Sequence, residues 1–81
     1  MNQITPIVSA RFVAVQRQER DAFVSLALSQ RRLSWRYRKW AAEDEARGDL
    51  NAYRRHAAEA KRLWRDALFN LDFARSRSHG A

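Results

Sequence analysis

The sequence predicts an all-α protein whose main element is an antiparallel helical hairpin. Helix-breaking residues are scarce, with two glycines and one proline among 81 residues, and helix formers such as Ala, Leu, Arg and Glu are frequent. Gly48 followed by Asp49 marks the one clear internal boundary, because a glycine ends a helix and an aspartate caps the next. Apolar residues recur at helical spacing on both sides of it. We therefore expect one small helical domain over residues 1–81.

The first helix is expected to end near Ala46. Thr5 followed by Pro6 is typical of an N-cap and a first helical residue. The second helix, at about 1.5 Å per residue, would be roughly 39 Å long. A first helix of the same length that ends near Ala46 would begin only at about residue 21. Residues 6–20 therefore either extend the first helix or fold back as a short third helix, with Asp21 as a new N-cap. No Gly or Pro forces a break there, which favours the extension.

The second helix is expected to run from about Leu50 to about Arg75. Its apolar residues alternate in steps of three and four, the heptad pattern of a helix packed against another helix. The tail at 76–81 has no apolar periodicity, so it is expected to be frayed.

The two helices are expected to face each other through one apolar stripe each. An antiparallel hairpin that turns at Gly48 sets residue i roughly opposite residue 96 − i. Tyr37 and Trp40 would then pack on small alanines of the second helix, as close helix packing requires. The stripe of the first helix consists of Val8, Phe12, Val15, Ala22, Leu26, Leu33, Tyr37 and Trp40, and that of the second of Leu50, Tyr53, Ala57, Ala60, Trp64, Ala67, Leu71 and Ala74.

Residues 31–40, RRLSWRYRKW, combine five positive charges with three aromatic side chains. Helical phasing assigns Tyr37 and Trp40 to the core and leaves Trp35 among cations. The antiparallel pairing brings basic residues of the second helix alongside. In a chain with a net charge of +7, such a patch suits phosphates, with Trp35 stacked on a base or on a partner's side chain. Alternatively, Trp35 packs under guanidinium groups of the same chain. The predicted basic patch comprises Arg31, Arg32, Trp35, Arg38, Lys39, Lys61, Arg62 and Arg65.

A second set of apolar residues lies outside both facing stripes. A hairpin that buries one stripe per helix leaves them bare, and monomers rarely expose apolar patches of this kind. Either residues 6–20 fold back over part of the set, or two hairpins associate into a helical bundle, for which a homodimer is the commonest form. The predicted apolar interaction surface comprises Val24, Leu28, Trp35, Phe69 and Phe73.

No catalytic, cofactor-binding or metal-binding residues are predicted. His56 and His79 have no second His and no Cys at ligand spacing. The acidic run at 43–45 lacks the spaced oxygen ligands and the internal glycine of a cation-binding loop. A helical hairpin of this size also offers little concave volume for a substrate. We therefore expect a protein that is not an enzyme and that carries no cofactor.

Cysteine usage and hydropathy indicate a cytoplasmic protein. The chain has no cysteine, which fits a reducing compartment. The N-terminal residues lack the cationic and apolar regions of a signal peptide, and no apolar run approaches the roughly 20 residues of a membrane span. Peripheral membrane binding is not expected, because the polar faces carry Asp and Glu.

Two functional hypotheses follow. In the first, the chain is a small accessory protein, an adaptor or inhibitor, that acts through protein–protein contacts centred on apolar anchors. The alternative is a basic nucleic-acid-binding module, for DNA or RNA, that contacts mainly phosphates. Salt discriminates between them, because each phosphate contact steepens the loss of affinity with salt, whereas apolar anchors do not.

Overall fold

The computed structural model describes the backbone of residues 5–79 and the side chains of residues 10–76. Two helices pack against each other as a hairpin, α1 (Thr5–Arg47) and α2 (Leu50–His79). This confirms the predicted fold class. Helix α1 ends one residue after the predicted Ala46, and α2 continues four residues past the predicted Arg75, because no Gly or Pro intervenes before Gly80. The last two residues of the predicted tail, and the side chains of Thr5 and Val8, lie outside the described part.

Helix α1 is continuous from Thr5 to Arg47, so residues 6–20 extend it and do not fold back. The molecule is a rod of 70 × 13 × 13 Å. Because α1 has 43 residues and α2 has 30, the first turns of α1 project beyond the end of α2. We call residues 5–16 the overhang.

The turn between the helices has the predicted chemistry. Gly48 adopts a φ of 79°, the left-handed conformation that only glycine adopts without strain. The amide of Gly48 donates to the carbonyl of Glu45 at 3.0 Å, and that of Asp49 to the carbonyl of Asp44 at 2.9 Å. Asp49 Oδ1 accepts the amide hydrogen of Ala52 at 3.1 Å, which is the N-cap bond expected of it.

Contacts between the helices confirm the predicted antiparallel pairing. The Phe23 and Phe73 rings lie 4.5 Å apart between centroids, and those of Trp40 and His56 lie 5.8 Å apart. Both pairs join residues whose numbers sum to about 96, as expected of a turn at Gly48.

The face of α1 that contacts α2 differs from the predicted one. Leu26, Leu33 and Trp40 are 46%, 37% and 41% exposed. The buried positions lie one residue later in the chain, at Ala27, Ser34 and Ala41. Of the other predicted residues, Tyr37 is half-buried, whereas Phe12, Val15 and Ala22 are exposed.

On α2, Ala60, Ala67 and Ala74 are buried as predicted, but Leu63 and Asn70 are buried in place of Trp64 and Leu71. Tyr53, Ala57, Trp64 and Leu71 are half-buried at the edge, and Leu50 is exposed.

The reason for the shift is that the helices meet through small residues. The Ser34 hydroxyl donates to the backbone carbonyl of Ala60 at 2.8 Å, so a side chain of α1 contacts the backbone of α2 directly. Only Ala, Ser or Gly permits so close an approach. Most large side chains are displaced to the flanks, and the buried Asn70 adds a polar contact because its Nδ2 donates to Gln30 Oε1 at 2.7 Å. The large apolar residues of α1 therefore line the surface of the rod.

Over residues 5–79, neither helix contains a stretch long and apolar enough to cross a membrane.

Candidate functional site

One side of the hairpin gathers cations and tryptophans from both helices. Arg38 occupies its centre, with its guanidinium carbon 5.1 Å from the ring centroid of Trp35 and 5.7 Å from that of Trp64. The Arg31 guanidinium lies 5.7 Å from the same Trp64 centroid. This arrangement matches the predicted alternative in which Trp35 packs under a guanidinium of its own chain. We call the set of Arg31, Trp35, Arg38, Lys61, Trp64 and Arg65 the basic groove.

The groove is an open depression between the two helices. A volume of about 360 Å³ is lined by Arg38, Ala58, Lys61, Trp64 and Arg65. Arg38 and Lys61 also border a neighbouring depression of about 280 Å³, which continues towards Tyr53 and the turn. The groove is mostly apolar at its floor and cationic at its rim, because the Trp64 ring lies below the heads of the basic side chains.

The four cations of the basic groove form no ion pair among the side chains of residues 10–76. The arginines that do form ion pairs lie elsewhere: Arg20 with Asp21, Arg47 with Asp44, and Arg62 with Glu59 and Asp66. The nearest acid that borders this surface is Glu45, which lines the neighbouring depression with Arg38 and Lys61 without forming an ion pair with either. Four cations around one groove create a positive potential that attracts polyanions.

Arg62, a member of the predicted basic patch, belongs to the opposite edge of α2. Its guanidinium donates to Glu59 and, at 2.9 Å, to Asp66 Oδ2. The hydrogen bond from Arg62 lowers the pKa of Glu59 below its ordinary value, and the same bond raises the pKa of Arg62. Its charge is thus compensated locally.

Arg32 and Lys39 are exposed on the outer surface of α1, beside the basic groove and not in it. Arg32 borders a separate shallow cleft with Ser29, Leu33 and Arg36. Of the eight residues of the predicted basic patch, the structure brings together Arg31, Trp35, Arg38, Lys61 and Arg65.

Trp64 is the groove residue that sequence reasoning missed. The heptad assigned it to the core, but it is half-buried under Arg31 and Arg38. The available signal was its position between Lys61 and Arg65 on the same helical face.

The predicted apolar interaction surface is divided between the two sides of the hairpin. Val24 borders a cleft with Arg20, Leu71 and Arg75 on the side of the basic groove. Phe73 packs on Phe23 on the other side, with Phe69 next to it at 6.5 Å between ring centroids. Leu28 and Trp35 are exposed on α1, with Trp35 at the edge of the basic groove beside Arg38. Val24, Leu28, Trp35, Phe69 and Phe73 therefore do not form one contact surface.

A polar cluster lies next to the turn. Asp44 is 2% exposed and accepts hydrogen bonds from Arg47 and from His56 Nδ1, the latter at 2.5 Å. The His56 ring also contacts the rings of Tyr37 and Trp40. Over the described residues, no group of three or more His, Cys, Asp or Glu side chains is placed to hold a metal ion. The cluster ties the two helices together beside the turn.

Comparisons with protein-family models, with curated proteins and with solved structures gave no match for this chain.

Proposed function

We propose that this protein is a non-enzymatic nucleic-acid-binding module that holds the phosphate backbone in the basic groove. The observation that carries the proposal is the concentration of four cations without carboxylate partners around two tryptophans, in the part of the chain that the structure describes. Cations that serve only solubility or stability are usually interspersed with acids, as Arg62 is here.

The chemistry of the groove suits a phosphodiester chain. A guanidinium stacked on an indole keeps its in-plane N–H groups directed outwards, where they can donate to phosphate oxygens. The Arg38 guanidinium lies near two indole rings, those of Trp35 and Trp64. The exposed part of the Trp35 ring offers a stacking surface for an unpaired base, a contact that tolerates any sequence. We infer binding without base-specific readout.

This proposal favours the second of the two sequence hypotheses. The apolar anchors of the first hypothesis are divided between the two sides of the hairpin, with Trp35 on one side and Phe69 and Phe73 on the other. A cytoplasmic accessory protein that coats or stabilises nucleic acid is the role that we propose for it.

The test is the binding of fluorescently labelled mixed-sequence duplex DNA and single-stranded RNA, followed by anisotropy at low salt. Arg65→Ala and Arg62→Ala form a matched pair, because both remove one arginine from α2 and one unit of net charge. We expect Arg65→Ala to raise Kd several-fold, since it removes a phosphate contact, and Arg62→Ala to leave Kd nearly unchanged. Equal effects of the two variants would mean that only net charge matters, and the groove would not be the site.

A further inference from the structure

Large apolar residues of α1 that stay exposed lie along one flank of its contact with α2, and Trp40 at the end of this line also contacts His56 of α2. We define the outer seam as Phe12, Val15, Leu26, Leu33 and Trp40. Leu26, Leu33 and Trp40 repeat every seven residues, and Phe12 lies two such repeats before Leu26, with the half-buried Glu19 at the repeat between them. All five side chains are exposed. Helix α1 thus carries two heptad stripes, one that packs on α2 and one that faces outwards.

The outer seam extends past the end of α2 onto the overhang. Phe12 and Val15 lie on the overhang, where α2 offers no contact, and Phe12 is 58% exposed. At about 1.5 Å per residue, the line from Phe12 to Trp40 is roughly 42 Å long. A line of this length and spacing fits an extended helix with its own heptad stripe.

We propose that the occupant is a second copy of this chain, packed with its α1 antiparallel to the first. The midpoint of α1, which runs from Thr5 to Arg47, is Leu26, a member of the seam. A two-fold axis through Leu26 would overlap the two helices along their whole length. It would set Phe12 opposite the partner copy's Trp40 at both ends, and the two copies of Leu26 against each other. A two-fold interface requires such self-complementarity.

The same arrangement covers the overhang. With the axis at Leu26, the overhang of one copy lies along the last turns of α1 of the other, next to its hairpin turn. The isolated first turns of α1 thereby gain a helix partner.

Surface area also fits a dimer. The five seam residues are 37–58% exposed, and at about 200 Å² for each whole side chain, as for an aromatic residue, their exposed portions amount to at most roughly 450 Å² per copy. If all of it were covered, two copies would bury roughly 900 Å² of apolar side chain, just below the total of about 1,000 Å² that a specific interface should exceed, so flanking atoms must supply the remainder.

Charge is distributed in a way that permits the association. On the side of the seam, Arg62 is held by Glu59 and Asp66, and Asp44 by Arg47 and His56. Arg32 and Arg36 border the cleft next to Leu33 and remain as cations beside the seam. The uncompensated cations of the basic groove lie on the other side of the hairpin. Two chains with a net charge of +7 each can therefore meet through the seam with their groove cations far apart, and the two grooves face outwards.

Sedimentation equilibrium of the full chain without nucleic acid tests the proposal. Leu26→Glu and Leu28→Glu are a matched pair, since the two leucines are two residues apart on α1 and 46% and 41% exposed, but only Leu26 belongs to the seam. We expect twice the chain mass of 9.5 kDa for the unmodified protein and for Leu28→Glu, and the single-chain mass for Leu26→Glu, all with equal helicity by circular dichroism. A single-chain mass for the unmodified protein at high micromolar concentration overturns the proposal, as does a dimer lost in Leu28→Glu and kept in Leu26→Glu.

Thiol cross-linking tests the axis without a buried charge. The chain has no cysteine, so Leu26→Cys introduces one thiol per copy, and an axis at this position brings the two thiols together. We expect Leu26→Cys to form a disulfide-linked dimer under air oxidation and Leu28→Cys to stay reduced. The reverse result would place the interface on another face of α1. Neither experiment contains nucleic acid, so the outcome is independent of the proposed function.

Discussion

Asp44 is a carboxylate buried in the interface between the two helices. At 2% exposure it is nearly as buried as the core alanines, and it accepts hydrogen bonds from Arg47 and from His56. A buried acid is tolerated when its oxygens are hydrogen-bonded and its charge is paired. Because His56 belongs to α2, the contact also fixes the register of the two helices.

Asp44→Ala should destabilise the hairpin by about 1–3 kcal/mol, because it removes the acceptor of the hydrogen bonds from Arg47 and His56. The loss is moderate since Arg47 is largely exposed and can be solvated. Glu43→Ala, an exposed neighbour in the same acidic run, is the control and should change the free energy of unfolding by less than about 0.5 kcal/mol. Urea unfolding followed by circular dichroism measures both. Equal effects would show that the cluster adds nothing beyond a surface charge.

At the scale of the helices, the turn was predictable and the contact face of α1 was not. Gly48 and Asp49 have conformational roles that few other residues fulfil, so the boundary and the antiparallel pairing followed from the sequence. The face was placed one residue early, at Leu26, Leu33 and Trp40, because large apolar residues were assigned to the core. Both candidate stripes repeat every seven residues, so periodicity alone did not distinguish them.

Close packing selects the stripe of small residues. Ala27, Ser34 and Ala41 allow the helices to approach until the Ser34 hydroxyl reaches the carbonyl of Ala60. The same shift moved Trp64 from the predicted core to the floor of the basic groove. A prediction that is one residue out of phase therefore places Trp64 and the outer seam in the contact between the helices. The structure leaves both at the surface, because the helices approach closely through small residues.

Ala60→Leu tests this packing directly. Ala60 is buried against Ser34, so a larger side chain must push the helices apart, and we expect a loss of about 1–3 kcal/mol in the free energy of unfolding. Ala58→Leu makes the same change two residues earlier at an exposed position and should be nearly neutral. If thermal or urea unfolding shows Ala60→Leu to be as stable as the unmodified chain, the helices are not in close contact at this point.

The whole molecule is a rod with two different sides. One side carries the basic groove, whose cations have no carboxylate partner among the described side chains. The other carries the ion-paired Arg62 and the outer seam of α1. The composition indicated a basic protein with excess apolar surface, but only the rotation of the helices about their axes decides which residues share a side. The division suits a protein that associates through one side and binds a polyanion through the other.

The dependence of nucleic-acid affinity on salt tests the central claim most directly. If Arg31, Arg38, Lys61 and Arg65 each neutralise one phosphate, the logarithm of the association constant for duplex DNA should fall with the logarithm of salt concentration with a slope of roughly −3 to −4, at about −0.9 per contact. Anisotropy titrations of the unmodified chain over a range of salt concentrations measure this slope. A slope of that size would support phosphate binding by the groove. No binding at low salt, or an affinity that does not change with salt, would contradict it.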